Sequence, residues 1–128
     1  EVPLEEDINM GILNMVLGLK NVEVDGKQHV ATLQKNFKES FGTEIRVYRP
    51  TSDGRINTGK GAKPAGKKDT LAKVSIQKVE KITIKKSHSV GDIEDQFKNK
   101  MGIGIQIEQP DGSLAPDGMR LKDVAKMK

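Results

Sequence analysis

The chain has no cysteine and no tryptophan, and its aromatic side chains are three Phe and one Tyr. Without thiols there can be no disulfide framework, no thiolate zinc centre and no cysteine nucleophile, which is compatible with a cytoplasmic setting. So few rings leave out the stacking platform on which readers of single-stranded nucleic acid lay successive bases. No apolar run approaches the roughly twenty residues that cross a bilayer, so no membrane is expected as a partner. The opening residues Glu1, Glu5, Glu6 and Asp7 are acidic where a signal peptide is basic. That start and the ending "VAKMK" point to a piece of a longer or processed chain.

Side chains that carry chemistry fall into no catalytic pattern. His29 and His88 each precede a periodic segment with no acid at ligand spacing, and read as surface or capping residues rather than metal ligands. Serines and threonines are scattered without a matching His and Asp, so nucleophilic catalysis has no support. Asp92, Glu94 and Asp95 would serve as acid/base carboxylates, but their place at the start of a helix already explains them. Gly54, Gly59 and Lys60 spell most of a phosphate-binding loop, yet Gly61 stands where a magnesium-binding Ser or Thr is required. An enzyme is not expected, nor a cofactor or metal.

What the chain does have is internal likeness. Residues 22–50 align without a gap on residues 82–110, at an offset of sixty. The alignment matches Val22 with Ile82, Val24 with Ile84, Val30 with Val90, Leu33 with Ile93, Phe37 with Phe97 and Phe41 with Met101. It continues through Gly42 and Gly102, Ile45 and Ile105, Val47 and Ile107, and Pro50 and Pro110. These are the apolar positions and the punctuation, which a shared core would retain.

The spacing within each stretch changes period. Val22 and Val24, like Ile82 and Ile84, alternate with polar residues as a half-buried strand does. Val30, Leu33, Phe37 and Phe41 then recur at steps of three and four, as do Val90, Ile93, Phe97 and Met101, which puts each set on one stripe of an α-helix. Gly42 and Gly102 follow where a left-handed terminating residue belongs, and Ser89 with Asp92 resembles a capping box. Alternation resumes at Ile45 and Val47 and at Ile105 and Ile107. Asp53-Gly54 and Asp111-Gly112 mark turns, and "DTLAKV" pairs with "MRLKDV", leaving open a short terminal helix or strand.

Strand-helix-strand twice over predicts an α+β fold, βαββαβ, of the ferredoxin-like sandwich type, with a β-grasp-like arrangement as the alternative. Residues 1–20 are expected to form an N-terminal helix packing on the core, 21–74 the first repeat and 75–128 the second. A repeat of about fifty residues buries little core alone, so the two are expected to pack as one domain. In the N-terminal segment Ile8, Ile12, Met15 and Leu19 share a helical face, while Met10, Leu13 and Leu17 widen its apolar surface.

Net charge is +4, and the cations gather between Arg55 and Lys86. Residues 54–68 contain Arg55, Lys60, Lys63, Lys67 and Lys68 and no acid, in a Gly/Lys-rich composition that predicts a flexible loop; about ten of its residues have no counterpart in the second stretch. Beyond it, Val74, Ile76, Val79, Ile82 and Ile84 alternate as one long strand with a bulge or as two in succession. Lys78, Lys81, Lys85 and Lys86 lie on or near its polar positions.

The motif "LQKNFKESFGTEIRVY", through Leu33, Gln34, Phe37, Phe41, Gly42, Ile45, Arg46, Val47 and Tyr48, resembles a repeat of uncharacterised bacterial proteins, some labelled as viral A-type inclusion protein repeats. The second stretch departs from it with Glu94, Gln106 and Glu108. Its helix "VGDIEDQFKNKMG", strand "IQIEQ" and "LAPDGMRLKDV" resemble part of a ubiquitin-like β-grasp domain. The first resemblance implies a bacterial origin and no activity; the second implies an interaction fold. The function expected is therefore non-enzymatic association with a protein partner or with itself, through the N-terminal helix or an exposed sheet edge. The alternative is sequence-blind binding of nucleic acid or another polyanion by the 54–68 loop and the 78–86 strand.

Overall fold

In a computed structural model, which describes residues 19–125, the apolar periods become short elements: β1 (Val22–Val24), α1 (Val30–Phe41), β2 (Ile45–Tyr48), α2 (Leu71–Val74), β3 (Ile82–Ile84), α3 (Val90–Gln96), β4 (Gly104–Ile107) and α4 (Leu121–Val124). The N-terminal helix expected over residues 1–20 lies outside the described residues but for its last two. Leu19 packs against the edge of the core.

Each helix ends for a local reason. Gly42 at φ 77° and Gly102 at φ 63° are left-handed, a conformation that Gly adopts without a Cβ penalty, and each donates its N–H back to a carbonyl of the last turn. At the start of α3, Ser89 Oγ accepts from Asp92 N–H at 3.1 Å while Asp92 Oδ2 accepts from Ser89 N–H at 3.2 Å, completing the capping box. The last turn of α3 widens into a π-turn, Phe97–Met101.

The fold is α+β, but its strands pair differently from a ferredoxin-like sandwich or a β-grasp sheet. Among the described residues they form two separate two-stranded antiparallel sheets, β1 with β3 and β2 with β4. The edge that a third strand would need beside β2 is filled: Ala65 N–H donates to Val47 O and Arg49 N–H to Lys63 O, both at 2.8 Å. Beside β4, Ala115 N–H donates to Ile107 O at 2.9 Å and Gln109 N–H to Ser113 O at 2.7 Å. The chain that leaves each strand folds back and closes it.

Glu23 stands opposite Thr83 and Arg46 opposite Gln106, sixty positions apart in both cases. Each pairing therefore reads the same from either strand, as strands related by a local two-fold axis do. The side chains this brings inward form one hydrophobic cluster holding Phe37, Phe41, Phe97, Leu33, Ile93, Met101, Leu71 and Leu121, all fully buried or nearly so. Phe37 and Phe41 meet with ring centroids 5.1 Å apart and planes tilted by 54°.

The long strand expected over 74–86 is not formed. Val74 closes α2, and β3 is confined to Ile82–Ile84. The intervening backbone goes instead to the end of the second helix: Ile76 N–H donates to Gly102 O, Glu80 N–H to Lys100 O, and Ser75 Oγ to Met101 O. Ile76 is 42% exposed, and Val79 packs on the bare backbone of Gly26.

Gly104 opens β4 where the 55–58 segment crosses it. A Cβ there would lie 2.8 Å from the methyls of both Ile56 and Thr58. Gly104→Ala should cost about 1–3 kcal/mol through overpacking, whereas Gly118→Ala, with nothing within 4 Å, should stay within about 0.5 kcal/mol of the parent. Urea unfolding checks the pair, and equal losses would show that the crossing is not tight.

Candidate binding surface

Residues 49–68, which include the expected 54–68 loop, are irregular in backbone and make internal hydrogen bonds. Thr51 N–H donates to Arg55 O at 2.8 Å, Gly59 N–H to Asn57 Oδ1 at 3.0 Å, and Ala62 N–H to Gly59 O at 3.0 Å. Asn57 Nδ2 reaches Lys60 O at 3.2 Å, and the Ile56 and Thr58 contacts fasten the segment across β4. No helix follows the near-motif at Gly59-Lys60; the next is the four-residue α2.

This fold separates the predicted cations. Arg55 is neutralised by Asp53 at 2.9 Å. Lys67 Nζ donates to Gln34 Oε1 at 2.7 Å on the side of α1, and Lys68 supplies the carbonyl that accepts from His29 Nδ1 at 2.7 Å. Lys60, Lys63 and Lys68 are exposed and form no ion pair among the described residues. Lys78 and Lys81 lie elsewhere, lining a cavity of about 500 Å³ with Asp25, Lys27 and Val79. Lys85 N–H donates to His88 Nδ1 at 3.1 Å, and Lys86 accepts Lys122 N–H on its carbonyl. None of the 78–86 lysines lies within a strand, since β3 holds only Ile82–Ile84.

One cation missed in the sequence is Arg49. It stands directly opposite Lys63 across the backbone pairing beside β2, and the two line a cleft of about 520 Å³. Its signal was present, since it follows β2 immediately, but a count of charge begun at residue 54 passes over it.

Matched positions in the two stretches carry different charge on the same backbone. Val30 N–H donates to Asp69 O and Leu71 N–H to Gln28 O; Val90 N–H donates to Met119 O and Leu121 N–H to His88 O. Around this shared scaffold, residues 46–71 hold seven Arg and Lys against two Asp, while residues 106–121 hold one Arg against three acids. Where Gln34 meets Lys67, Glu94 meets Asp117. Partial burial of Glu94, together with its hydrogen bond to Asp117 and the charges of Asp117 and Asp95, pushes its carboxyl up to about 7. Asp92, on the same turn, is held below the usual carboxylate range by the Ser89 backbone and hydroxyl.

Among the described residues no three His, Asp or Glu side chains gather where a metal ion could be held, and no helix is long and apolar enough to cross a membrane. No protein-family model matches the chain, and neither a curated protein nor a solved structure matches it.

Because the folded chain holds the Glu94 proton more tightly than the unfolded chain does, stability falls as pH rises from the ordinary glutamate range to about 7. Glu94→Gln should therefore melt above the parent at pH 8 and together with it at pH 4. A gap of equal size at both pH values would show that the carboxyl is not the cause.

Proposed function

We propose that the chain is a non-enzymatic association module that receives an acidic protein partner on the basic segment from Arg49 to Lys68. It does so chiefly through Arg49, Lys60, Lys63 and Lys68, which are exposed and form no ion pair among the described residues. What supports this reading is the charge difference between two regions of shared backbone. The same backbone pairings form with Gln109 and Ser113 in place of Arg49 and Lys63, and with Asp117 in place of Lys67. The backbone pairings do not call for the cations, and charge that the pairings do not require is more readily explained by recognition. A route through a sheet edge at β2 or β4 is less favourable, because residues 63–65 and 113–115 occupy those edges.

A second reading uses the same charge: sequence-blind binding of nucleic acid or another polyanion, extended by Lys78, Lys81, Lys85 and Lys86. It depends on phosphate contacts alone. All three Phe are buried, and the Tyr48 hydroxyl donates to Gln106 Oε1 at 2.6 Å. Only the half-buried Tyr48 ring remains for base stacking, short of the platform of several rings that single-strand readers use.

Fluorescence anisotropy with labelled polyglutamate, duplex DNA and single-stranded DNA, from about 50 to 200 mM salt, distinguishes the two. Polyglutamate should bind in a salt-sensitive way. Changing Lys60, Lys63, Lys67 and Lys68 together to Gln should weaken it at least about tenfold with the melting temperature retained. Tighter binding of DNA would favour the second reading. No binding of any probe at the lowest salt would overturn both.

A further inference from the structure

The rung formed by Arg49 and Lys63 is an anomaly of local physics. Like charges set directly opposite each other across an antiparallel pair repel and destabilise it. At the matched rung, Gln109 N–H donates to Ser113 O in the same way, and there the side chains satisfy each other, with Gln109 Nε2 donating to Ser113 Oγ at 3.2 Å. Arg49 and Lys63 make no ion pair among the described residues.

The surroundings leave these two charges uncompensated beside the cleft, among the described residues. Asp53, the acid of this loop, is bound to Arg55 and to the Thr51 hydroxyl and does not line it. Thr51 and Asn57 are engaged in holding the loop's turns. That leaves Arg49, Lys63 and Ser52 as the lining residues whose polar side chains have no partner among the described residues, with Pro50 and Ala62 as apolar wall. A carboxylate is satisfied by one guanidinium fork, but two cations with a hydroxyl match the charge and oxygen count of a phosphate dianion. The cleft is larger than the bare ion and leaves room for the group that carries it.

We propose that the cleft between Arg49 and Lys63 is a phosphoryl-binding site, which takes a phosphate monoester free in solution or borne on a side chain of the partner. This deepens the association reading and rests on it for the face involved.

The test is amide NMR titration of the parent protein with phenyl phosphate, with phenylacetate as the carboxylate match, and with a phosphoserine peptide. Phenyl phosphate should saturably shift Asn57, Gly61 and Ala62. Affinity should rise from pH 5 to pH 7.5 as the second phosphate ionisation, near pH 6, completes. Arg49→Gln and Lys63→Gln should each weaken binding about tenfold or more while melting at or above the parent, because each relieves the like-charge rung. Lys81→Gln with Lys85→Gln should leave binding unchanged. Tighter binding of the peptide would place the phosphate on a protein partner, and equal binding would place it on a small molecule.

Absence of a saturable shift, an undiminished shift in both cleft variants, or phenylacetate binding as well as phenyl phosphate would each overturn the site. If polyglutamate binding survives that result, the association face stands without the phosphoryl site. If it does not, both fall.

Discussion

Antiparallel pairing of β1 with β3, and of β2 with β4, is the constraint on which the structure depends. Three- and four-residue strands have little stability of their own, and a strand-helix-strand unit of about fifty residues cannot enclose a core. Setting residue 23 against 83 and residue 46 against 106 solves both problems together. It turns Val22, Val24, Ile82 and Ile84 to the same side, and Ile45, Val47, Ile105 and Ile107 likewise, so the two helical stripes close over one interior. The folded-back segments at 63–65 and 113–115 follow, because they fill the outer edges that the pairing leaves open.

A backbone fixed in this way leaves the surface free to diverge. At matched positions one region carries Arg49, Lys63 and Lys67, and the other carries Gln109, Ser113 and Asp117. The ten-residue excess in the first region does not loosen it, since Gly104 gives up its side chain to let Ile56 and Thr58 cross the sheet. Charge and cleft thus sit on a segment held by its own hydrogen bonds, and a binding surface gains from such support because little order has to be imposed when a partner arrives.

The sequence disclosed what periodicity and punctuation can disclose. The helical stripes, the glycine terminators and the Ser89–Asp92 box were readable, because each is set by residues within a turn or two. At Leu71 and Leu121 the pattern marked an element but left helix and strand open, and both are helices. Strand partners were not, since a two-residue alternation says which face is buried and nothing about what lies alongside. The same limit explains residues 74–86. Their alternation suggested strand, but Ser75, Ile76 and Glu80 found hydrogen-bond partners at Met101, Gly102 and Lys100, too far along the chain for local pattern to reveal. The Arg49–Lys63 rung and the Glu94–Asp117 contact depend in turn on the fold-back of loops, and only the folded chain brings those residues together.

Native-state hydrogen exchange tests most directly whether the two regions stand or fall together. Amides of β1, β2, β3 and β4 that are bonded across the pairings should open with one common free energy, equal to that of global unfolding and equally sensitive to urea. Strands of one region opening at markedly lower free energy than those of the other would contradict mutual dependence, and would show that one strand-helix-strand unit holds its own core.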